Sequence, residues 1–266
     1  MTDKNVPVTA GQSGSDSEVT SAFRLGIAAS VDIDVVLDRH GAKNSAQQFV
    51  RYALSIGALE LVPEGRQLKS GRISPYFFNS GLFCTATKLQ QLSEAYVGAI
   101  DANLSEEELP EVVFGPAYKG VPLAVAVADM LCLSYDGDYD PGYAFNRKEV
   151  KNHGEGGIIV GSQLADKRVV IVDDVMTTGD SSGEAVEIVC AERGIPIACV
   201  IAFDRQERGS DEDLSATQLF TKKYGIPVFA AATLSDLIMV LEEGPDFPGA
   251  SATLPKILAY KDQYGV

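Results

Sequence analysis

Two hydrophobic periods alternate along the chain from about Asn44 onward. Phe49, Tyr52, Ala53 and Ile56 fall at i, i+3, i+4 and i+7, between Asn44 or Ser45 as a cap and Gly57 as a stop. That stripe predicts an amphipathic helix. Leu68 to Asn79 reads as a hairpin, with Ser70-Gly71 near the turn and an aromatic strand after Pro75. Helical spacing returns over Lys88–Ile100, and the acidic run Glu106–Glu108 precedes a loop closing at Pro110. Val112–Phe114 is a short apolar run of the kind that suits a buried strand. Val121, Ala124, Val125 and Ala128 then share one helix face. Tyr135–Gly157 is a polar region, followed by a short strand at Ile158–Val160.

Val169–Val172 runs unbroken into Asp173-Asp174 and a loop of small residues, and a helix follows over Gly183–Glu192 with Gly194 and Pro196 as its stop. Ile197–Phe203 and Val228–Ala231 are further strands. Thr233 with Asp236 three residues on has the capping-box pattern and opens a helix through Leu241; Ala252–Tyr264 is the last helix. Strands alternating with helices predict an α/β fold: a doubly wound, mostly parallel sheet flanked by helices. Met1–Glu18 is aperiodic and rich in Ser, Thr, Gly and Asp, which reads as a disordered tail. Short apolar runs at Ile27–Ala29 and Val35–Leu37 are assigned to no element. The expected organisation is an extension over 1–43, partly disordered, and one domain over 44–266.

Composition narrows the function. A chain of 266 residues suits one α/β domain with appendages. A formal charge of −15 opposes non-specific binding to nucleic acid or anionic lipid, so an anionic substrate needs a locally basic site. Cys84, Cys132, Cys190 and Cys199 are scattered with no C-x-x-C pair, as in a reducing, cytoplasmic setting. Two histidines make a transition-metal cage unexpected. No apolar stretch has the length of a membrane span, and the N-terminus lacks a signal pattern. A soluble cytoplasmic protein is expected, with neither membrane nor nucleic acid as partner.

The chemistry gathers in three loops at predicted strand ends: Gly115–Gly120, Asp173–Ser181 and Asp204–Arg208. The carboxyl ends of parallel strands share one edge, so these loops should converge on one crevice. After Asp173 and Asp174, the run Val175, Met176, Thr177, Thr178, Gly179, Asp180, Ser181 offers hydroxyls, a flexible glycine and the N–H groups of a helix start to a phosphate. The two acids would repel a bare phosphate, but they suit a ligand with sugar hydroxyls or a hydrated divalent metal. The plain alternative is an ordinary strand-to-helix connection with solvated acids. In Gly115–Gly120, Lys119 can point a cation at a phosphate cradled by backbone amides. A strained backbone is expected there, including a cis peptide before Tyr118. The alternative is a turn with a solvated lysine.

Asn146–Gly157 concentrates Arg147, Lys148, Lys151 and His153 in an otherwise acidic chain, with glycines that would let it move. It reads either as a mobile cationic lid over a polyanion or as a solvated loop. Of Phe77 and Phe78, at most one ring can stack on a planar base, because strand neighbours face opposite ways. Arg205 is placed to bind a carboxylate or carbonyl, or to pair with Glu207 or Asp204.

The stretches Leu68–Gly81 (LKSGRISPYFFNSG), Phe114–Val121 (FGPAYKGV), Phe145–Gly157 (FNRKEVKNHGEGG), Val169–Gly179 and Phe203–Gly209 (FDRQERG) together resemble the orotate phosphoribosyltransferase family, within the type I phosphoribosyltransferases. The resemblance implies the type I fold with a small N-terminal hood built mainly from 44–85. It implies transfer of the phosphoribosyl group of phosphoribosyl pyrophosphate to N1 of orotate, giving orotidine 5′-monophosphate and pyrophosphate in pyrimidine synthesis. By matching position, Asp173 and Asp174 hold the ribose hydroxyls and Val175 to Ser181 wrap the 5′-phosphate. Lys69, Tyr118, Lys119, Arg147, Lys148, Lys151 and His153 serve the pyrophosphate side, and Phe77, Phe78, Thr177 and Arg205 contact orotate. Lys151, His153, Arg147, Asp173 and Asp174 carry the catalysis.

The resemblance also implies Mg2+ held mainly by the substrate, with water-mediated contact to Asp173 and Asp174. It implies a homodimer whose basic loop acts in the neighbouring site. Asp180 departs from the family's usual threonine, and the extension before Asn44 has no counterpart in compact members. A fused decarboxylase domain is not expected, so a separate enzyme would remove the carboxylate. Two alternatives stay open: a transferase for another base, and a regulator that binds phosphoribosyl pyrophosphate without catalysis.

Overall fold

The computed structural model describes residues 42–266 except 136, 152–156, 210–212 and 245–246, with the backbone alone at 42–44, 150 and 151. The tail expected at Met1–Glu18 and the unassigned apolar runs before His40 lie outside the described residues. So does His153.

The amphipathic stripe forms helix α1, Ala42–Ser55, whose Phe49, Val50 and Ala53 are buried. Strands β1, Leu59–Gln67, and β2, Ile73–Phe78, pair antiparallel as the hairpin. Its turn uses Gly71 at φ +84°, a left-handed conformation that costs glycine little. The chain continues through α2, Ala86–Asp101; β3, Val112–Gly115; α3, Gly120–Ser134; β4, Gly142–Lys151; β5, Gly157–Gly161; and β6, Arg168–Asp173. It closes with α4, Asp180–Ala191; β7, Ile195–Asp204; α5, Ala216–Tyr224; β8, Val228–Thr233; α6, Leu234–Glu243; and α7, Ala250–Tyr264.

Six strands form the main sheet in the order β5-β4-β3-β6-β7-β8. All neighbouring pairs are parallel except β4 with the edge strand β5. Side chains alternate across a strand, and the two apolar cores show it directly. Val170 and Val172 of β6 join Ala198, Val200 and Ala202 of β7 on the face covered by α1, α2, α3 and α6. Val169 and Ile171 join Cys199 and Ile201 on the other face, with α4 and Phe220 of α5. Burial on both faces is the reason these strands read as unbroken apolar runs.

From β3 the chain moves outward to β4 and β5, then returns across β3 to begin β6. The carboxyl ends of β3 and β6 therefore flank the point where strand order reverses, where open α/β sheets bind ligands.

One expectation fails. The segment 146–157, read as a loop, is not one throughout: β4 runs into it as far as Lys151, paired there with β5. Its pairing with β3 ends at Gly115↔Phe145, whereas its pairing with β5 reaches Lys151↔Gly157. Asn146 to Lys151 thus run past β3 as one strand of a projecting two-stranded arm. Backbone pairing with β5 defines this segment as strand, although its polar sequence shows no apolar alternation. Two elements were also unforeseen, β1 and α5. Ser215 and Gln218 cap α5 reciprocally, Ser215 Oγ accepting from the Gln218 amide at 3.2 Å.

Candidate active site

At the end of β6 the two acids lie in unlike surroundings. Asp173 is 5% exposed and satisfied from within: Oδ1 accepts the Asp174 amide at 2.9 Å and Oδ2 accepts Ser182 Oγ of α4 at 3.1 Å. Burial pushes its carboxyl above the usual range, against the pull of the Asp174 amide. Tyr96 of α2, fully buried, donates its hydroxyl to the Asp173 carbonyl at 2.7 Å and fixes the strand end from below. Cys199 lies beside Asp173, and burial pushes its thiol up to about 12, so it packs as an inert side chain.

Asp174 faces the crevice. Its Oδ2 accepts Lys119 Nζ at 2.6 Å and Ser80 Oγ at 2.6 Å. Burial alone would raise this carboxyl, but the lysine and serine bonds outweigh it and hold the group below its ordinary value. The acid is thereby gripped by the loop after β3 and by the turn that follows β2.

The loop after β3 is built by close packing. A Cβ on Gly115 would overlap the Gly120 carbonyl, so both ends need glycine. The Ala117–Tyr118 peptide is cis, as expected. The Ala117 amide donates to Asn146 Oδ1 at 2.9 Å, and Asn146 is 4% exposed at the root of the arm. Tyr118 is 76% exposed, and the Lys119 side chain crosses open space to reach Asp174.

The loop after β6 turns at Gly179, φ +78°, and α4 begins at Asp180. Thr177, Thr178 and Ser181 are exposed beside the first turn of α4, and Val175 and Met176 pack inward. The first amides of a helix lack internal partners, so this turn can seat an anion. Asp180, where the resemblance expects a threonine, faces outward and accepts the Thr178 hydroxyl at 2.7 Å. A carboxylate in a first turn also suits the helix dipole.

The hairpin residues divide by side of the strand. Phe78 packs inside, its ring stacked on Phe203 at 5.5 Å and tilted against Phe83 and Phe49. Phe77 faces the other way with the Arg66 guanidinium 3.9 Å above its ring. Lys69 is exposed in the turn between β1 and β2. Arg205 sits at the end of β7, Nε donating to Glu207 at 2.8 Å and a terminal nitrogen to Ser74 Oγ at 2.9 Å. The pairing of Arg205 with Glu207 is thus present. Arg147 and Lys148 lie on the projecting arm, and of Lys151 only the backbone is described. Sequence reasoning gave no role to Ser80, Asn146 or Tyr96. Ser80 was visible within the aromatic hairpin motif, but its partner lies 94 residues away, and nothing in the local pattern signals that contact.

A mostly parallel sheet with a small-residue loop and a helix start at its switch point, paired acids and a glycine-bounded lysine loop is the frame of a phosphoribosyltransferase. The phosphoribosyl transferase domain matches residues 86–235. Orotate phosphoribosyltransferase of Bordetella avium is 46% identical over 84% of this chain and 99% of its own length. That of Marinobacter nauticus is 44% identical over 83% and 98%. The crystal structure of orotate phosphoribosyltransferase from Francisella tularensis superposes with a TM-score of 0.71 at 35% identity, covering 82% of this chain and all of that one. The chain belongs to the orotate phosphoribosyltransferase family.

Proposed function

We propose that this chain transfers the phosphoribosyl group of phosphoribosyl pyrophosphate to N1 of orotate, releasing pyrophosphate and forming orotidine 5′-monophosphate for pyrimidine synthesis. The observation that carries the reading is the Lys119–Asp174 pair, 2.6 Å apart, where the loops after β3 and β6 meet at the switch point. That pair supports a reading in which the acid lies under the sugar and the cation faces the leaving diphosphate. The base is taken from the named relatives.

In this reading the Asp174 carboxylate receives the ribose hydroxyls, and Asp173 stabilises the strand end and the start of α4. Val175 to Ser181, including Asp180, wrap the 5′-phosphate. Bond cleavage leaves positive charge on the sugar and negative charge on the diphosphate, so carboxylates below and cations above favour the transition state. Lys119 exchanges Asp174 for the diphosphate, together with Lys69, Tyr118, Arg147, Lys148, Lys151 and His153. Phe77, Thr177 and Arg205 contact the base; Phe78 supports it through backbone and packing.

Mg2+ belongs to the proposal. Among the described residues no three acidic, histidine or cysteine side chains gather as a cage. The donors at the site are Asp173 and Asp174, whose hard oxygens suit the water shell of a magnesium ion that arrives with its substrate. Such an ion neutralises charge on the diphosphate.

We further propose a homodimer in which the arm serves the neighbouring site. Val125 and Leu133 are exposed on α3 at spacings that align with Pro122 and Asp129, and Tyr118 and Tyr143 are exposed nearby in sequence. A cytoplasmic setting fits four unpaired cysteines, and no described helix is long and apolar enough to cross a membrane. The test is a panel of bases offered with phosphoribosyl pyrophosphate and Mg2+, followed by absorbance. Orotate alone should be consumed; preference for uracil or a purine would overturn the assignment.

A further inference from the structure

Arg205 is one of two arginines on one carboxylate. Glu207 accepts Arg205 at 2.6 Å and Arg72, from the end of the hairpin turn, at 3.4 Å. Tyr76 donates its hydroxyl to the same carboxylate at 3.2 Å. The three charged side chains are largely withdrawn from water, at 19% exposure for Arg72, 17% for Arg205 and 11% for Glu207. Aromatic rings wall them in, with Arg205 4.3 Å over Tyr76 and Arg72 4.7 Å over Tyr264. Among the described residues, no second carboxylate pairs with either arginine. Among the described residues the cluster therefore holds one positive charge more than its carboxylate neutralises, in poorly hydrated surroundings.

A buried charge without a counter-ion is costly, and a ligand that supplies one is favoured accordingly. We infer that Arg72 is the residue that makes this cluster select an anionic base: its charge goes beyond what Glu207 neutralises, and a substrate carboxylate completes the balance. The inference rests on the orotate reading. Glu207 then has two effects, aligning Arg205 and cancelling one of two cations. Without Arg72 the Arg205–Glu207 pair would be self-sufficient, and a neutral base would meet no penalty.

The charge argument makes a prediction that a purely structural role for Arg72 does not. R72Q leaves one cation and one anion, R72K keeps the surplus, and R72Q/E207Q restores it by removing the anion. For orotate, KM in R72Q should rise roughly 10- to 100-fold, the range of a hydrogen bond to a charged group. KM for phosphoribosyl pyrophosphate and kcat should stay within about threefold, since the change acts on base binding. R72K should remain near wild type, and R72Q/E207Q should recover most of the lost orotate affinity. If Arg72 only braces the hairpin through Tyr264 and the Gly209 carbonyl, the double variant will be no better than R72Q, which overturns the inference. An unchanged orotate KM in R72Q overturns it as well. Should R72Q not fold, R72K decides: a KM near wild type supports the charge role, and a rise beyond about tenfold refutes it. Wild-type turnover of orotate in the same assay separates failure of this inference from failure of the assigned reaction.

Discussion

Replacing Ser80 by alanine removes a hydroxyl that donates to Asp174 Oδ2 at 2.6 Å and leaves Lys119 as the main donor to that oxygen. Hydrogen bonds to charged groups contribute about 1.5–3 kcal/mol. Lys119 is 69% exposed on its side chain and can re-centre on the carboxylate, so the lower end applies. About 1.4 kcal/mol is a factor of ten, and the predicted effect is a rise of about tenfold in KM for phosphoribosyl pyrophosphate. The carboxyl should also titrate higher, because one of the bonds holding it below its ordinary value is gone. The sign follows directly. At a given acid pH less of Asp174 is ionised in S80A, so the acid limb of kcat/KM for phosphoribosyl pyrophosphate moves to higher pH. Steady-state kinetics across the acid range, with thermal melting as a folding control, measures both effects. An unchanged KM and an unmoved acid limb in a folded S80A protein would refute the positioning of Asp174 by the hairpin turn.

Lys151→Ala should lose roughly 10²–10³ in turnover, by analogy with other charge-stabilising donors, while its melting temperature stays near wild type; near-normal activity removes the lysine from the mechanism. Gly115→Ala forces a methyl group into the Gly120 carbonyl and should destabilise by about 1–3 kcal/mol in denaturant titrations, or prevent soluble expression. Phe78→Ala opens a hole against Phe203 and Phe83 and should cost about 3–5 kcal/mol of stability. Phe77→Ala should cost much less stability and raise KM for orotate, and equal destabilisation of the two would contradict their opposite facing.

How much of this could be read from the sequence depended on what holds each element. The strands at Val112–Phe114, Val169–Val172 and Ile197–Phe203 are legible because they are buried on both faces, which forces an unbroken apolar run. Their loops were legible with them, since a parallel sheet puts carboxyl ends on one edge. The arm was not. Beyond Phe145 the strand partner of β4 among the described residues is β5, and the polar residues there leave no apolar pattern to detect. Helix α5 carried a readable signal, the Ser215–Gln218 capping box, but only Phe220 within it is buried, so its hydrophobic stripe is weak. Contacts such as Ser80 with Asp174 and Arg72 with Glu207 join residues 94 and 135 positions apart, and they follow from the fold rather than from any local pattern.

The most direct test of the whole account is to mix the wild-type chain with orotate, phosphoribosyl pyrophosphate and Mg2+ and follow both products at once. Orotidine 5′-monophosphate and pyrophosphate should appear in equal amounts, with neither formed when any one component is left out. Release of pyrophosphate without consumption of orotate, or no reaction with all components present, would contradict it.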